Sequence, residues 1–374
     1  MKTKRSDILT CVLFLGFLVV MLALYLLIPD QKFSEKEKRY LAESPKLTWE
    51  NLLSGDFGQD TETYLADHIP GRDLFVGMAS YYDLFSGRQV TKDVYLAEDG
   101  RLVEPPVVWD QAQVEKNMKY INAFADKIGR PVDLMIIPSA GYIMQDSVIG
   151  LKAPYTDDAM IRAIYDMGKD NVVVRDVVSV LENAADRGSL YYRTDHHWTS
   201  YGAHTVYSAY MQMLGRDYTK REDFTVESYG GFYGSTYSRS GLWLTKSENV
   251  ELWKTDTDFK VTNGDTEGVH DGLFYMDRLN ELDKYTVYLD GNHSLVRVQN
   301  PDAAGKGKIL VIRDSYANCL GTFLANSYEE VVMIDLRYYK RPVSELLASE
   351  EFTDVLVCYS MSNFMTDTNF PYLR

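Results

Sequence analysis

The stretch Lys308-Ile309-Leu310-Val311-Ile312-Arg313-Asp314-Ser315-Tyr316-Ala317-Asn318 carries the first decision about the fold. Lys308 to Ile312 is a short, nearly continuous apolar run, the pattern of a strand covered on both faces, and a helix is expected to start near Tyr316. The same alternation recurs on either side. Gln111–Gly129 reads as a helix leading into the strand Val132–Ile137. Asp157–Lys169 reads as a helix before the β-branched strand 171–174, and Leu190-Tyr191-Tyr192 as a strand before a helix from Ser200 to Leu214. Beyond the quoted stretch come a strand at Val331–Ile334, a helix at Ser344–Ser349 and a last strand at Val355–Tyr359. Short apolar strands alternating with helices predict an α/β fold, a mostly parallel sheet between two helical layers.

The rhythm breaks between about residues 216 and 306, a block rich in Gly, Thr, Tyr and Asp. Tyr285–Tyr288 and Leu295–Val298 are expected there as edge strands or a hairpin around Asp290-Gly291-Asn292, which makes the block a β-rich insertion. At the other end, Ile8 to Ile28 is a charge-free apolar run of 21 residues. At 1.5 Å per residue it spans about 30 Å, the thickness of a bilayer core. A cleavable signal would have a shorter apolar core followed by a small-residue site, so the run reads as an uncleaved anchor. Lys2, Lys4 and Arg5 precede it and place the N-terminus in the cytoplasm, with everything after Pro29 outside. The expected organisation is a cytoplasmic tip and transmembrane anchor over 1–30, a juxtamembrane helical region over 31–110, and the main α/β domain over 111–374. Within the juxtamembrane region Trp49–Leu53, Thr61–His68 and Asp73–Phe85 have helical spacing, and Ile69-Pro70-Gly71 ends the second.

Composition narrows the partners. Of 374 residues 45% are apolar and 25% charged, with mean hydropathy -0.26, which excludes both a polytopic membrane protein and a disordered chain. Lys+Arg 39 against Asp+Glu 54 leaves a net charge of -15. A duplex binder needs the opposite sign, so no nucleic-acid partner is expected. Met1–Asp30 carries three basic residues against Asp7 and Asp30, so the exported part holds about -16. Of three cysteines, Cys11 falls in the apolar run; Cys319 and Cys358 could form one disulfide, and spacing leaves that open.

Ligands of such sheets bind beyond the carboxyl ends of the strands. Three segments put reactive groups there: Thr194-Asp195-His196-His197-Trp198-Thr199, Arg313–Asn318, and Ser360-Met361-Ser362-Asn363. A serine hydroxyl needs an imidazole to take its proton and an acid to hold the imidazole's tautomer. Ser315 is the candidate nucleophile, His197 the base and Asp195 the orienting acid; the competing reading of Ser315 is a helix N-cap. Asp314 is expected to position the turn. Arg337 and Tyr338 follow a strand and are candidates for substrate contact or a structural ion pair. Adjacent histidines are expected to diverge, and the helical His-x-x-x-His spacing is absent, so neither a metal nor a cofactor is expected.

The literal Asp195-His196-His197-Trp198, preceding a strand–Asp-Ser turn at 314–315, resembles the SGNH hydrolase superfamily. The likeness is closest to its alginate O-acetyltransferase-like branch and the DHHW proteins, in which the Asp-x-His block precedes the nucleophile, a circular permutation of the usual order. Residues 37–42, 67–72 and 335–339 also look like segments of that family, and the resemblance spans about residues 33–364. It implies a three-layer α/β/α domain and a Ser315–His197–Asp195 triad. The implied chemistry is acyl transfer through an acyl-serine to a polysaccharide hydroxyl outside the membrane, often beside a membrane-bound O-acyltransferase that supplies the acyl group. The superfamily's Gly-x-Asn-Asp block is absent. Asn363 is therefore the candidate oxyanion donor and Asn318 the alternative, and Trp198, with Tyr316 and the insertion, is expected to shape the substrate groove. A deacetylase or esterase using water, and an inactive glycan-binding or assembly scaffold, are the other readings of the same residues.

Overall fold

A computed structural model describes residues 5–88, 90–150, 153–264 and 266–374. Helix α1 (Arg5–Leu27) is long and apolar enough to cross a membrane and is exposed along its length. The chain divides into two compact units, one running to Lys92 and including Ser238–Leu244, the other comprising Asp93–Tyr237 and Thr245–Arg374.

The first unit contains α1, α2 (Trp49–Ser54), α3 (Asp56–His68) and α4 (Arg72–Phe85). Thr48 caps α2 by accepting the Asn51 N–H. A buried carboxylate ties residues 39–42 to α3. Asp67 accepts from Arg39 Nη1 at 2.9 Å and Nη2 at 2.5 Å and from the Ala42 N–H at 2.9 Å. The Arg39 guanidinium beside it holds the Asp67 carboxyl down to about 2, against the upward pull of burial.

The second unit is built on one eight-stranded sheet. Its strands are β1 (Val132–Ile137), β2 (Val172–Val174), β5 (Lys260–Asn263), β6 (His270–Asp271), β7 (Leu295–Gln299), β8 (Lys308–Arg313), β9 (Glu330–Ile334) and β10 (Asp354–Ser360). A separate hairpin pairs β3 (Thr225–Phe232) with β4 (Glu248–Lys254). The spatial order is β6-β5-β7-β9-β8-β10-β1-β2. The five strands from β9 to β2 run parallel, with Leu310 opposite Val332 on one side and Val355 on the other. Every residue of β9 is buried, as is every residue of β8 and β10 after the first, so helices must cover both faces.

Four expectations change here. The 216–306 block does not simply sit on the sheet: β5, β6 and β7 extend it as antiparallel strands, and β7 lies third from that edge. Its strict alternation explains this, because Val296 and Val298 are buried while Arg297 reaches Glu330 at 3.0 Å. Lys284–Val287 is a 3-10 turn rather than a strand. Leu190–Tyr192 is no sheet strand either. Its partners lie a few residues along its own chain: the Tyr192 N–H donates to His197 O, and the Thr199 N–H to Leu190 O. The buried Arg101 guanidinium completes the loop by donating to Tyr191 O at 2.7 Å and Tyr192 O at 2.9 Å. The helix begun at Asp157 also stops earlier than expected, at Tyr165.

Helix α5 (Gln111–Ile128) precedes β1, α6 (Ser200–Met213) follows the 190–199 loop, and α7 (Tyr316–Leu324) follows β8. A Cβ on Gly202 would lie 2.1 Å from Leu190 O, so only glycine lets the first turn of α6 rest on that loop. Gly202→Ala should cost about 1–3 kcal/mol through overpacking. Denaturant titration checks this, and an unchanged midpoint would refute the close approach.

Candidate active site

Ser315 lies in the turn between β8 and α7, with helical backbone angles (φ -65, ψ -22) and no side-chain capping bond. The capping task falls to its neighbour, since Asp314 Oδ1 accepts the Tyr316 N–H at 3.0 Å. The freed Ser315 hydroxyl meets His197 Nε2 at 2.8 Å. On the far side of the ring, Nδ1 lies 2.5 Å from Asp195 Oδ1, which also accepts the His197 backbone N–H at 2.9 Å. Because Nδ1 faces a carboxylate it carries the proton, leaving Nε2 to accept from Ser315. Tyr285 stacks on the His197 ring with centroids 3.9 Å apart and an 11° tilt.

A turn this tight needs support from elsewhere, and two residues overlooked in the sequence supply it. Ser235 donates both its N–H (2.6 Å) and its hydroxyl (2.9 Å) to Asp195 Oδ2. With that proton committed, the Ser235 oxygen accepts from His196 Nδ1 at 2.7 Å. Glu248 accepts the N–H groups of Arg193 and Thr194, each at 2.7 Å, and the Thr194 hydroxyl as well. Thr194 Oγ1 in turn accepts the Gly234 N–H at 3.0 Å. A Cβ on Gly234 would sit 2.2 Å from Asp195 Cβ, so the segment before Ser235 can approach only as glycine. Both partners lie in the block after residue 216, at no spacing that ties them to Asp195; only the pattern Gly234-Ser235 hinted at a close backbone approach.

The remaining candidates are spread over the same edge. Asp314 Oδ2 accepts the Ser360 N–H (2.8 Å), the Ser360 hydroxyl (2.7 Å) and Asn363 Nδ2 (2.8 Å), so one of the two amide protons of Asn363 braces the turn. Asn318 Nδ2 donates to Asn292 Oδ1 at 3.1 Å, an oxygen that also accepts from the buried Arg313 at 2.9 Å. Arg337 pairs with buried Asp335 at 2.6 Å, and Tyr338 is exposed beside the Arg337 guanidinium. Trp198 is fully buried and donates to Tyr316 O at 2.9 Å, which makes it a clamp between the two turns instead of a groove wall. Cys319 and Cys358 are buried free thiols.

Ligand atoms of Asp195, His196 and His197 fall within 4.8 Å of one another, and the two imidazoles lie 3.9 Å apart rather than diverging. Both nitrogens of His197 and Nδ1 of His196 are already hydrogen-bonded within the site. Electrostatics sort the carboxylates. Burial would raise the Asp195 carboxyl, but His196, His197 and the donated hydrogen bonds hold it well below the usual range. Burial pushes the Glu248 carboxyl up, partly opposed by Thr194 and Arg193. Burial likewise keeps His196 on the neutral side. Since the folded Asp195 carboxyl lies below its unfolded value of about 3.9, its stabilisation is complete above that pH and is lost as pH falls towards the folded value. Acid unfolding below about pH 4 should therefore be less steep in Asp195→Asn than in the parent, as thermal melts against pH will read out; equal slopes would remove this assignment.

Residues 114–334 match the family described as DHHW protein. A DHHW family protein from Eubacterium siraeum has the same fold, with TM-score 0.64 and 20% identity over 76% of this chain and 95% of that one. Bacillus cereus PatB1 is similar at TM-score 0.59 and 19% identity, covering 73% of this chain and 97% of its own. The probable alginate O-acetylase AlgJ of Pseudomonas putida is 24% identical over 176 residues, 44% of this chain, which spans only 45% of that protein's length. With the family match covering more than half its residues, and with Asp195-His196-His197-Trp198 folded against Ser315, the chain belongs to the DHHW protein family.

Proposed function

We propose that this chain is a membrane-anchored, extracytoplasmic O-acetyltransferase that modifies a cell-surface polysaccharide through an acyl-serine on Ser315. The observation that carries the reading is the continuous relay from Asp195 through His197 to the Ser315 hydroxyl. Ser315 Oγ attacks the carbonyl carbon of an acyl donor while His197 Nε2 takes its proton. The negative charge moves to the carbonyl oxygen, which the Ser315 N–H faces, because the first N–H groups of a helix have no intrahelical partner. Collapse expels the donor's leaving group, which receives the proton from His197. A sugar hydroxyl then attacks the acyl-enzyme, gives its proton to His197 and leaves as the ester, and Ser315 recovers the proton. Asp195, ionised throughout, holds the Nδ1–H tautomer and stabilises the imidazolium.

The apolar helix α1, preceded by Lys2, Lys4 and Arg5, supports placing the N-terminus in the cytoplasm and both units outside. The acyl group would come from a membrane-bound O-acyltransferase, the partner that the family resemblance implies. A relative named as a probable alginate O-acetylase supports a polysaccharide acceptor. Hydrolysis shares the same acyl-enzyme, so the acceptor decides between transferase and esterase.

The purified chain, incubated with an activated acetyl ester and an oligosaccharide, should form O-acetylated sugar. Quenched protein should gain one acetyl group on the peptide containing Ser315. Ser315→Ala should lower turnover by roughly four to six orders of magnitude with an unchanged melting temperature, and Asp195→Asn by roughly four. Parent-like turnover in Ser315→Ala sinks the proposal; free acetate without acetylated sugar makes the protein an esterase.

A further inference from the structure

Helix α4 is amphipathic in a sense opposite to that of a helix packed in a soluble unit. Leu74, Phe75, Met78, Tyr82 and Phe85 recur at three- and four-residue spacing and share one face. All five are exposed, Tyr82 at 70% and Phe85 at 87%. The inward side carries small residues instead: Gly77 and Ser80 are buried, with the Trp243 indole against Gly77. Trp49 and Leu53 of α2 are exposed to a similar degree, 80% and 84%. A contiguous apolar face of this kind marks a surface that something covers.

The chain itself says what lies next to it. Helix α1 ends at Leu27, and Ile28 and Pro29 line one cleft of about 290 Å³ together with residues 69–74, so the first residue of the stripe, Leu74, borders the exit of α1. Asp30 just beyond accepts a hydrogen bond from Tyr64 of α3 at 2.5 Å. Only Ile28–Lys32 separates α1 from the first strand of the unit at Phe33, a reach of at most about 18 Å. Between residues 31 and 92 there are 8 Lys and Arg against 10 Asp and Glu, so no basic excess seeks anionic headgroups. The contact has to be apolar.

We infer that the Leu74–Phe85 face of α4 lies in the interfacial layer of the bilayer that α1 crosses, its occupant being the boundary between lipid headgroups and acyl chains. This rests on the reading of α1 as a membrane anchor. Aromatic residues such as Tyr82 suit that depth, with an apolar ring and a polar tip. Lying flat, α4 would keep the juxtamembrane unit against the membrane surface.

The test uses the full chain in phosphatidylcholine vesicles. Cys11 is the exposed cysteine, while Cys319 and Cys358 are buried, so a Cys11→Ser background accepts single labels at Met78→Cys, Phe85→Cys and, as a control, Lys119→Cys on α5. A nitrobenzoxadiazole label at 78 and at 85 should show blue-shifted emission and lose fluorescence to a shallow spin-labelled lipid, while the label at 119 should do neither. A label on native Cys11 should be quenched by a deep spin-labelled lipid. Quenching at Cys11 with positions 78 and 85 behaving like 119 overturns the inference and leaves the anchor intact. No quenching at Cys11 removes the anchor and this inference with it. A blue shift at 78 that grows with protein concentration, without lipid quenching, assigns the face to a second copy of the chain and also overturns the inference.

Discussion

A 2.8 Å hydrogen bond joins His197 Nε2 to Ser315 Oγ across 118 residues of chain, and the arrangement of the second unit serves to make it. The serine is delivered by β8, a central parallel strand whose end is fixed by buried neighbours on both sides. The imidazole is delivered by a loop that belongs to no sheet and closes on itself through Tyr192, His197 and Thr199. The two elements are held in register by the Trp198 indole bonded to Tyr316 O and by Gly202, which lets α6 rest on the loop.

Three carboxylates are placed around this contact, and their surroundings set their tasks apart. Asp195 faces two imidazoles and is held ionised. Glu248 faces only neutral donors, so burial dominates and pushes its carboxyl up. Asp314 ties its own turn to the end of β10 through Ser360 and Asn363. A buried carboxylate without such donors would cost several kcal/mol, and one replaced by an apolar group would no longer hold loops together. Each of the three is satisfied by at least two backbone or side-chain donors, and this makes the edge of the sheet a preorganised polar surface rather than a collection of loops.

The first unit obeys a different logic. Arg39 and Asp67 form a bidentate pair in it, and the apolar side chains Leu74, Phe75, Met78, Tyr82 and Phe85 of α4 face outward. A soluble domain of this size would turn those groups inward, because burial of apolar surface is its main source of stability.

Much of this was legible in the order of the amino acids. Apolar runs such as Ile309–Ile312 and Val355–Tyr359 can be satisfied only between two helical layers, and the charge-free run from Ile8 to Ile28 is long and apolar enough to cross a membrane; period and length alone carry both signals. Asp195, His197 and Ser315 were identifiable as candidates because their chemistry, and the likeness to a known family, singled them out. Tertiary structure decided what supports them. Ser235 and Glu248 reach the site from 40 and about 54 residues downstream, and the antiparallel strands at 260–299 complete the sheet. It also gave Asn363, Asn318 and Trp198 partners that their spacing does not indicate, because a side chain's donors go to whichever acceptor the fold brings nearest. Local sequence encodes the period of burial; which distant groups share a cavity depends on closure of the whole chain, and no local pattern carries that information.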